Sequence, residues 1–226
     1  MNGDILYDIL LCIKSPRDLC CITRVCRLWY YVAINSTTWE VMSVLAKHNQ
    51  LHKPKKDQLL FTCQYGHLKM IQWLYLACGL TVEDVRSCDN RALQLTCRNG
   101  HLKIVQYLCE MFGGTIENVR SDNNLALRLA CLYGHLHVVQ YLCETFDLTV
   151  EDVRSYDNLA LRWACKYGYL NIVRYLCEKL GLTVEDIRSC GNLALQWAWK
   201  NGHLHVIQYL CQHFRLDYKR EISALK

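Results

Sequence analysis

Cysteine, histidine and paired carboxylates recur in this chain at spacings that could support chemistry. Fifteen cysteines stand among 226 residues, and clustered thiolates would bind zinc or exchange disulfides. No C-x-x-C occurs, which removes the commonest zinc-ribbon and thioredoxin-like arrangements. Cys63, Cys97, Cys131 and Cys165 follow one another at 34-residue intervals, as do Cys109, Cys143, Cys177 and Cys211. The first series continues with Trp199 and the second is preceded by Tyr75. Neither ring replaces a thiolate ligand, but either replaces a buried apolar thiol, so the cysteines are expected to pack. His67, His101, His135 and His203 form a third series, with Tyr169 in its gap. A turn hydrogen bond or a stacked ring accounts for that exchange, and a metal site does not. His135 with His137, and His203 with His205, are expected to diverge along a helix.

The carboxylates read the same way. Glu83-Asp84, Glu151-Asp152 and Glu185-Asp186 could act as acid and base. A pair copied along a chain is first of all the acidic opening turn of a helix. Arg86, Arg120, Arg154 and Arg188 recur beside them and are expected to bond neighbouring units or carbonyls, with an acidic ligand as the alternative. No phosphate loop, G-x-S-x-G or H-E-x-x-H is present. No catalytic residue, metal or cofactor is assigned.

The elements behind these series are repeats. Gly66, Gly100, Gly134, Gly168 and Gly202 are spaced at 34 residues without insertion, which sets units at 56–89, 90–123, 124–157, 158–191 and 192–225. In the third unit Ala126, Leu127, Ala130 and Cys131 give a short helix, ended by Gly134 at a left-handed cap. Leu136, Val138, Val139, Leu142, Cys143 and Phe146 give a second helix, apolar over most of its circumference. Neighbouring units must cover it. Thr149-Val150-Glu151-Asp152 predicts a third short helix with a threonine cap, and Asp217 takes the cap position in the last unit.

The pattern A-L-x-x-A-C-x-x-G-H-L-x-V-V-x-Y-L resembles the ankyrin repeat over 56–225. The usual T-P-L-H opening is replaced by Asn-Leu-Ala-Leu (Asn124 to Leu127), and the T-V-E-D-V-R-S connector is not the usual β-turn finger. It looks like the variant arrays of large DNA viruses, which implies a helical finger.

Residues 1–50 are out of register. Ile5, Leu6, Ile9 and Leu10 make an apolar stripe, Ser15-Pro16-Arg17-Asp18 opens a helix, and Leu19, Ile22, Val25, Cys26 and Trp29 make a second stripe, followed by Trp39. The spacing D-x-L-x-x-I-x-x-V-C-R-x-W with its later tryptophan resembles an F-box, though without the usual opening Leu-Pro. That resemblance implies docking on the Skp-type adaptor of a cullin ubiquitin ligase through Ile5, Leu6, Ile9, Leu10, Pro16, Leu19, Ile22, Val25, Trp29 and Trp39. Otherwise these helices cap the solenoid. Residues 51–55 read as a basic linker.

The fold expected is therefore all-α: a short F-box-like module and a solenoid of five ankyrin-like units with helical fingers. Residues 1–56 carry +4, 57–214 carry −1 and 215–226 carry +2, so the array lacks the basic stripe that phosphate contacts need. Nucleic acid is not an expected partner. No apolar run is long enough to span a membrane, and Asp4 and Asp8 without an early Lys or Arg do not make a secretory signal. The chain is expected to be an intracellular monomer, cytoplasmic or nuclear, and non-enzymatic. An unidentified target protein would bind where the first helices vary between units: Arg98, Tyr133, Trp163, Lys166, Tyr167, Trp197 and Lys200.

Overall fold

The computed structural model describes residues 53–225, and every described element is helical. The F-box-like reading of residues 1–50 lies outside the described residues. Among them the helices are α1 (Lys55–Tyr65), α2 (Leu68–Cys78), α3 (Val82–Asn99), α4 (Leu102–Met111), α5 (Ile116–Leu132), α6 (Leu136–Thr145), α7 (Val150–Lys166), α8 (Leu170–Leu180), α9 (Val184–Lys200), α10 (Leu204–His213) and α11 (Tyr218–Leu225). None of the described helices is long and apolar enough to cross a membrane.

The described residues form two compact units, one of 53–59 with 68–81 and the other of 60–67 with 82–225. In the first, α2 buries Met70, Ile71 and Leu74. Its C-terminus closes where the Leu80 amide donates to the Leu74 carbonyl across Gly79, whose φ is +59°. Lys55 Nζ donates to the Gly79 carbonyl at 3.1 Å.

In the second, the 34-residue period becomes a stack with one core running from Leu93 to Cys211. Each second helix presents apolar residues at its buried face: Ile104, Val105 and Leu108 on α4, and Val138, Val139, Leu142 and Cys143 on α6. Each fully buried Val, Leu or Ile contributes about 1.5–3 kcal/mol. The first-helix cysteines Cys97, Cys131 and Cys165 are fully enclosed, and Cys143, Cys177 and Cys211 nearly so. They pack, as the Trp and Tyr exchanges in their series predict.

The helical finger is present, a short helix after each threonine cap, such as the one that Thr149 opens and that breaks at Ser155. In α3, α5, α7 and α9 the finger meets the first helix of the next unit at a kink, where one extended residue is followed by three left-handed ones. In α5, Ser121 is extended and Asp122, Asn123 and Asn124 take φ of +50°, +53° and +59°. L-residues resist this conformation by about 1–2 kcal/mol each, and Asp and Asn resist it least. Those two types fill most such positions, from Asp89-Asn90 to Asp157-Asn158.

Long side chains one turn further on fasten the joint. Arg128 donates to the carbonyls of Asn123 and Asp122 at 2.9 and 2.7 Å. Gln94 Nε2 and Gln196 Nε2 do the same to Asp89 and Gly191, each at 2.7 Å, and Arg162 to Tyr156 at 2.9 Å.

Candidate functional site

The recurring charges tie unit to unit. Thr149 and Thr183 cap α7 and α9 in capping boxes closed by Asp152 and Asp186. Each carboxylate also receives the arginine of the preceding finger. Arg120 Nε and Nη2 reach Asp152 at 2.7 and 2.9 Å, and Arg154 reaches Asp186 at 2.7 and 3.0 Å. Where Asn118 replaces the aspartate there is no anion, and Arg86 Nη2 donates to the Gly113 carbonyl at 2.7 Å instead. Arg188 pairs with Glu221 at 3.2 Å, and Asp217 caps α11 by accepting from the Lys219 and Arg220 amides. Two members of the arginine row, Arg120 and Arg154, are thus paired with the capping aspartates Asp152 and Asp186 of the next finger.

The histidines lock adjacent turns. His101 Nε2 donates to the Gln64 carbonyl at 3.2 Å and His135 Nε2 to the Arg98 carbonyl at 3.0 Å. The expectation that His135 and His137 diverge is wrong: their rings lie 6.0 Å apart, and those of His203 and His205 5.9 Å. His135 is the cap residue, with ψ +71° rather than a helical value, so helical spacing does not apply to it. His137 and His205 donate to the carbonyls of Gly100 and Gly168 at 3.0 and 3.1 Å.

With those groups engaged in structure, the first-helix surface remains. Arg98 is exposed, and its guanidinium lies 5.1 Å from the Tyr133 ring centroid of the next unit. Lys166 Nζ lies 5.2 Å from Tyr167 and 5.5 Å from Trp197. Tyr133 and Tyr167 keep 41% and 44% of their surface in solvent, enough to meet a partner while one ring face holds a cation. Lys200 is exposed, and Trp163, Trp197 and Lys166 are half-buried. The structure therefore joins Arg98 to Tyr133, and Lys166 to Tyr167 and Trp197. Trp163 and Lys200 share the repeat positions of Trp197 and Lys166 without such a contact.

Arg162, absent from the sequence-derived set, stands over Trp197 at 5.5 Å, and Arg128 over Tyr156 at 4.6 Å. The signal for them was a long donor in every unit after the first: Gln94, Arg128, Arg162 and Gln196. A separate groove of about 390 Å³, lined by Gln208, Cys211, Gln212, Leu216 and Tyr218, shares no residue with this ladder.

Burial pushes the Cys109, Cys143 and Cys177 thiols up to about 12 and raises Cys97 and Cys131 well above the ordinary range. Cys88 and Cys190 are exposed. Iodoacetamide on the folded protein at about pH 8, read by peptide mass spectrometry, should modify Cys88 and Cys190 ahead of every cysteine in the two columns. Equal labelling of Cys131 or Cys165 would contradict their enclosure.

The family model described as ankyrin repeats (3 copies) matches residues 59–152 and 150–222. No curated protein matches the chain. Among solved structures, the chain is similar to an ankyrin repeat family protein from Legionella pneumophila, at 24% identity and a TM-score of 0.52. That match covers 60% of this chain and 40% of the bacterial one. At that identity the likeness carries the fold alone.

Proposed function

Since this chain belongs to the ankyrin repeat family, whose arrays are protein-interaction scaffolds, we propose that its first-helix ladder holds a target protein for ubiquitin transfer. The observation that carries the target-holding half is the pairing of Arg98 with Tyr133 and of Lys166 with Tyr167 and Trp197 at the surface. Arg, Tyr and Trp are the types most often found at binding hot spots. Rings that already hold the cations lower the entropy lost when a partner orders them. Trp163 and Lys200 extend the same strip by one unit in either series.

The presenting half rests on the sequence resemblance of residues 1–50 to an F-box. In this reading Leu19, Ile22, Val25 and Trp29, with Ile5, Leu6, Ile9, Leu10, Pro16 and Trp39, dock a Skp-type adaptor of a cullin ligase. The array contributes binding and no bond-making step, in the manner of the virus-like arrays that its connector resembles, with a host protein as target.

Affinity purification of the full chain tests both halves. The wild type should bring down the Skp-type adaptor, and Leu19→Ala with Trp29→Ala should lose it while keeping the target. Lys166→Glu with Lys200→Glu should do the reverse. A wild-type chain that recovers a target but no adaptor would remove the ligase role, leaving a scaffold that binds or masks one protein with its N-terminal helices as a cap.

A further inference from the structure

The first helices segregate charge from the rest of the array. Residues 90–99, 124–133, 158–167 and 192–201 hold six basic side chains (Arg91, Arg98, Arg128, Arg162, Lys166 and Lys200) and no acidic one. Residues 57–214 carry −1 overall, so with +6 on these helices the remainder carries −7. The cations also divide by partner. Arg120, Arg154 and Arg188 each meet a carboxylate. Among the described residues, Arg98, Lys166 and Lys200 meet none, and Arg98 and Lys166 are held instead against rings. A ring face attracts a cation through its quadrupole without neutralising it. The donors stay available and the side chains stay placed.

Building on the proposal that this ladder holds the target, we infer that the bound segment is an extended, acidic stretch of polypeptide whose carboxylates are in register with Arg98, Lys166 and Lys200. Spacing makes the inference specific. Packed helices lie ~8–10 Å apart, so one unit advances a ligand by about three residues of extended chain at ~3.3 Å each. Lys166 and Lys200 are one unit apart, and Arg98 stands two units before Lys166. Carboxylates at i, i+6 and i+9 would meet the three cations. Half-buried Leu132 fills the intervening rung, which places an apolar side chain at i+3.

A nucleic acid fits less well. Phosphate recognition draws on roughly 6–10 contacts, against four unburied cations on these helices, Arg91, Arg98, Lys166 and Lys200, on an array whose remainder is negative.

The probe is a fluorescent ten-residue peptide with Glu at positions 1, 7 and 10, Leu at 4 and Ser elsewhere, titrated with the full chain at low salt. It should bind about tenfold more tightly than its Gln counterpart and than a peptide of the same composition with the glutamates moved to 2, 3 and 5. Lys166→Glu with Lys200→Glu should remove that preference while the thermal melt stays unchanged. Equal binding of the Gln or reshuffled peptide overturns the inference, as does absence of binding by the Glu peptide. Tighter binding of a ten-nucleotide single-stranded DNA overturns it in favour of nucleic acid. A target captured through the ladder by a neutral or basic segment overturns the acidic register but leaves the target-holding proposal standing. Peptide binding untouched by the charge reversals counts against both.

Discussion

Asp186→Ala is expected to lower the stability of the array by about 3 kcal/mol, far more than the removal of any exposed carboxylate. The Asp186 side chain accepts from Arg154 Nε and Nη2, from the Thr183 amide and hydroxyl, and from Asn158 Nδ2 at 3.4 Å. It is only 5% exposed, so alanine leaves Arg154 Nε and Nη2 and the Thr183 amide without this acceptor in a site that water reaches poorly, while Asn158 Nδ2 keeps the Asp186 carbonyl and Ser189 Oγ. Removing one partner of a buried pair costs ~3–5 kcal/mol, and loss of a cap ~1 kcal/mol. The first figure shrinks here because the Arg154 side chain keeps 36% of its surface in solvent. Urea unfolding of the variant against wild type measures the loss. Glu185→Ala, at the exposed neighbour, should move the midpoint far less. Equal losses for the two would remove the tie between fingers from the account.

The same carboxylates set the acid limit of the fold. Burial alone would raise Asp152 and Asp186. The arginine and threonine hydrogen bonds outweigh it and hold both carboxyls below their usual value of 3.8. A carboxyl depressed in the folded state stabilises above the unfolded value, near ~3.9, and that contribution disappears as pH falls through the lower folded value. The gap between wild type and Asp186→Asn should accordingly be wide at about pH 6 and narrow below about pH 4.

Much of this was legible because the repeat supplies its own controls. Trp199 and Tyr75 in the cysteine series identified packing positions, and Asp217 in place of threonine identified a cap. Pairing was not legible. Arg120 and Asp152 were each visible as members of a series. That they meet requires knowing that one finger lies beside the next, a contact between residues 32 apart in the chain. The left-handed joint was hidden for another reason: Asp and Asn favour it, but Cys88, Tyr156 and Cys190 adopt it as well and carry no propensity signal for it. Arg128 and Arg162 were hidden behind their charge. A basic residue on a variable helix reads as surface, yet both are nearly buried, with their guanidiniums on the carbonyls of the joint. The cation–aromatic rungs depend on that joint, since it sets where Trp197 stands relative to Arg162 and Lys166.

Gly100→Ala is the second large effect, about 2–4 kcal/mol, and its cause can be separated from ordinary glycine behaviour. Gly100 has φ +73°, and a Cβ there would collide with His135 Nδ1 and lie 2.8 Å from Cγ. Contact with Cγ, next to the backbone, leaves the ring little freedom to step aside. Displacing it breaks the 3.0 Å bond from Nε2 to the Arg98 carbonyl and disturbs the bond that His137 donates to the Gly100 carbonyl. Each such bond is worth about 0.5–1.5 kcal/mol net, added to ~1 kcal/mol for a left-handed alanine. Gly181→Ala is the control, because its φ is +71° but nothing lies within 4 Å of the added Cβ. It should show the conformational cost alone. Adding His135→Ala to Gly100→Ala should recover part of the loss, a coupling that independent sites would not show. If thermal melts place Gly100→Ala and Gly181→Ala together, the histidine does not clamp the turns. If they differ as expected, the clamp that holds the Arg98 carbonyl also fixes the unit-to-unit step between Arg98 and Tyr133, and Gly100→Ala should weaken the acidic peptide as well as the fold.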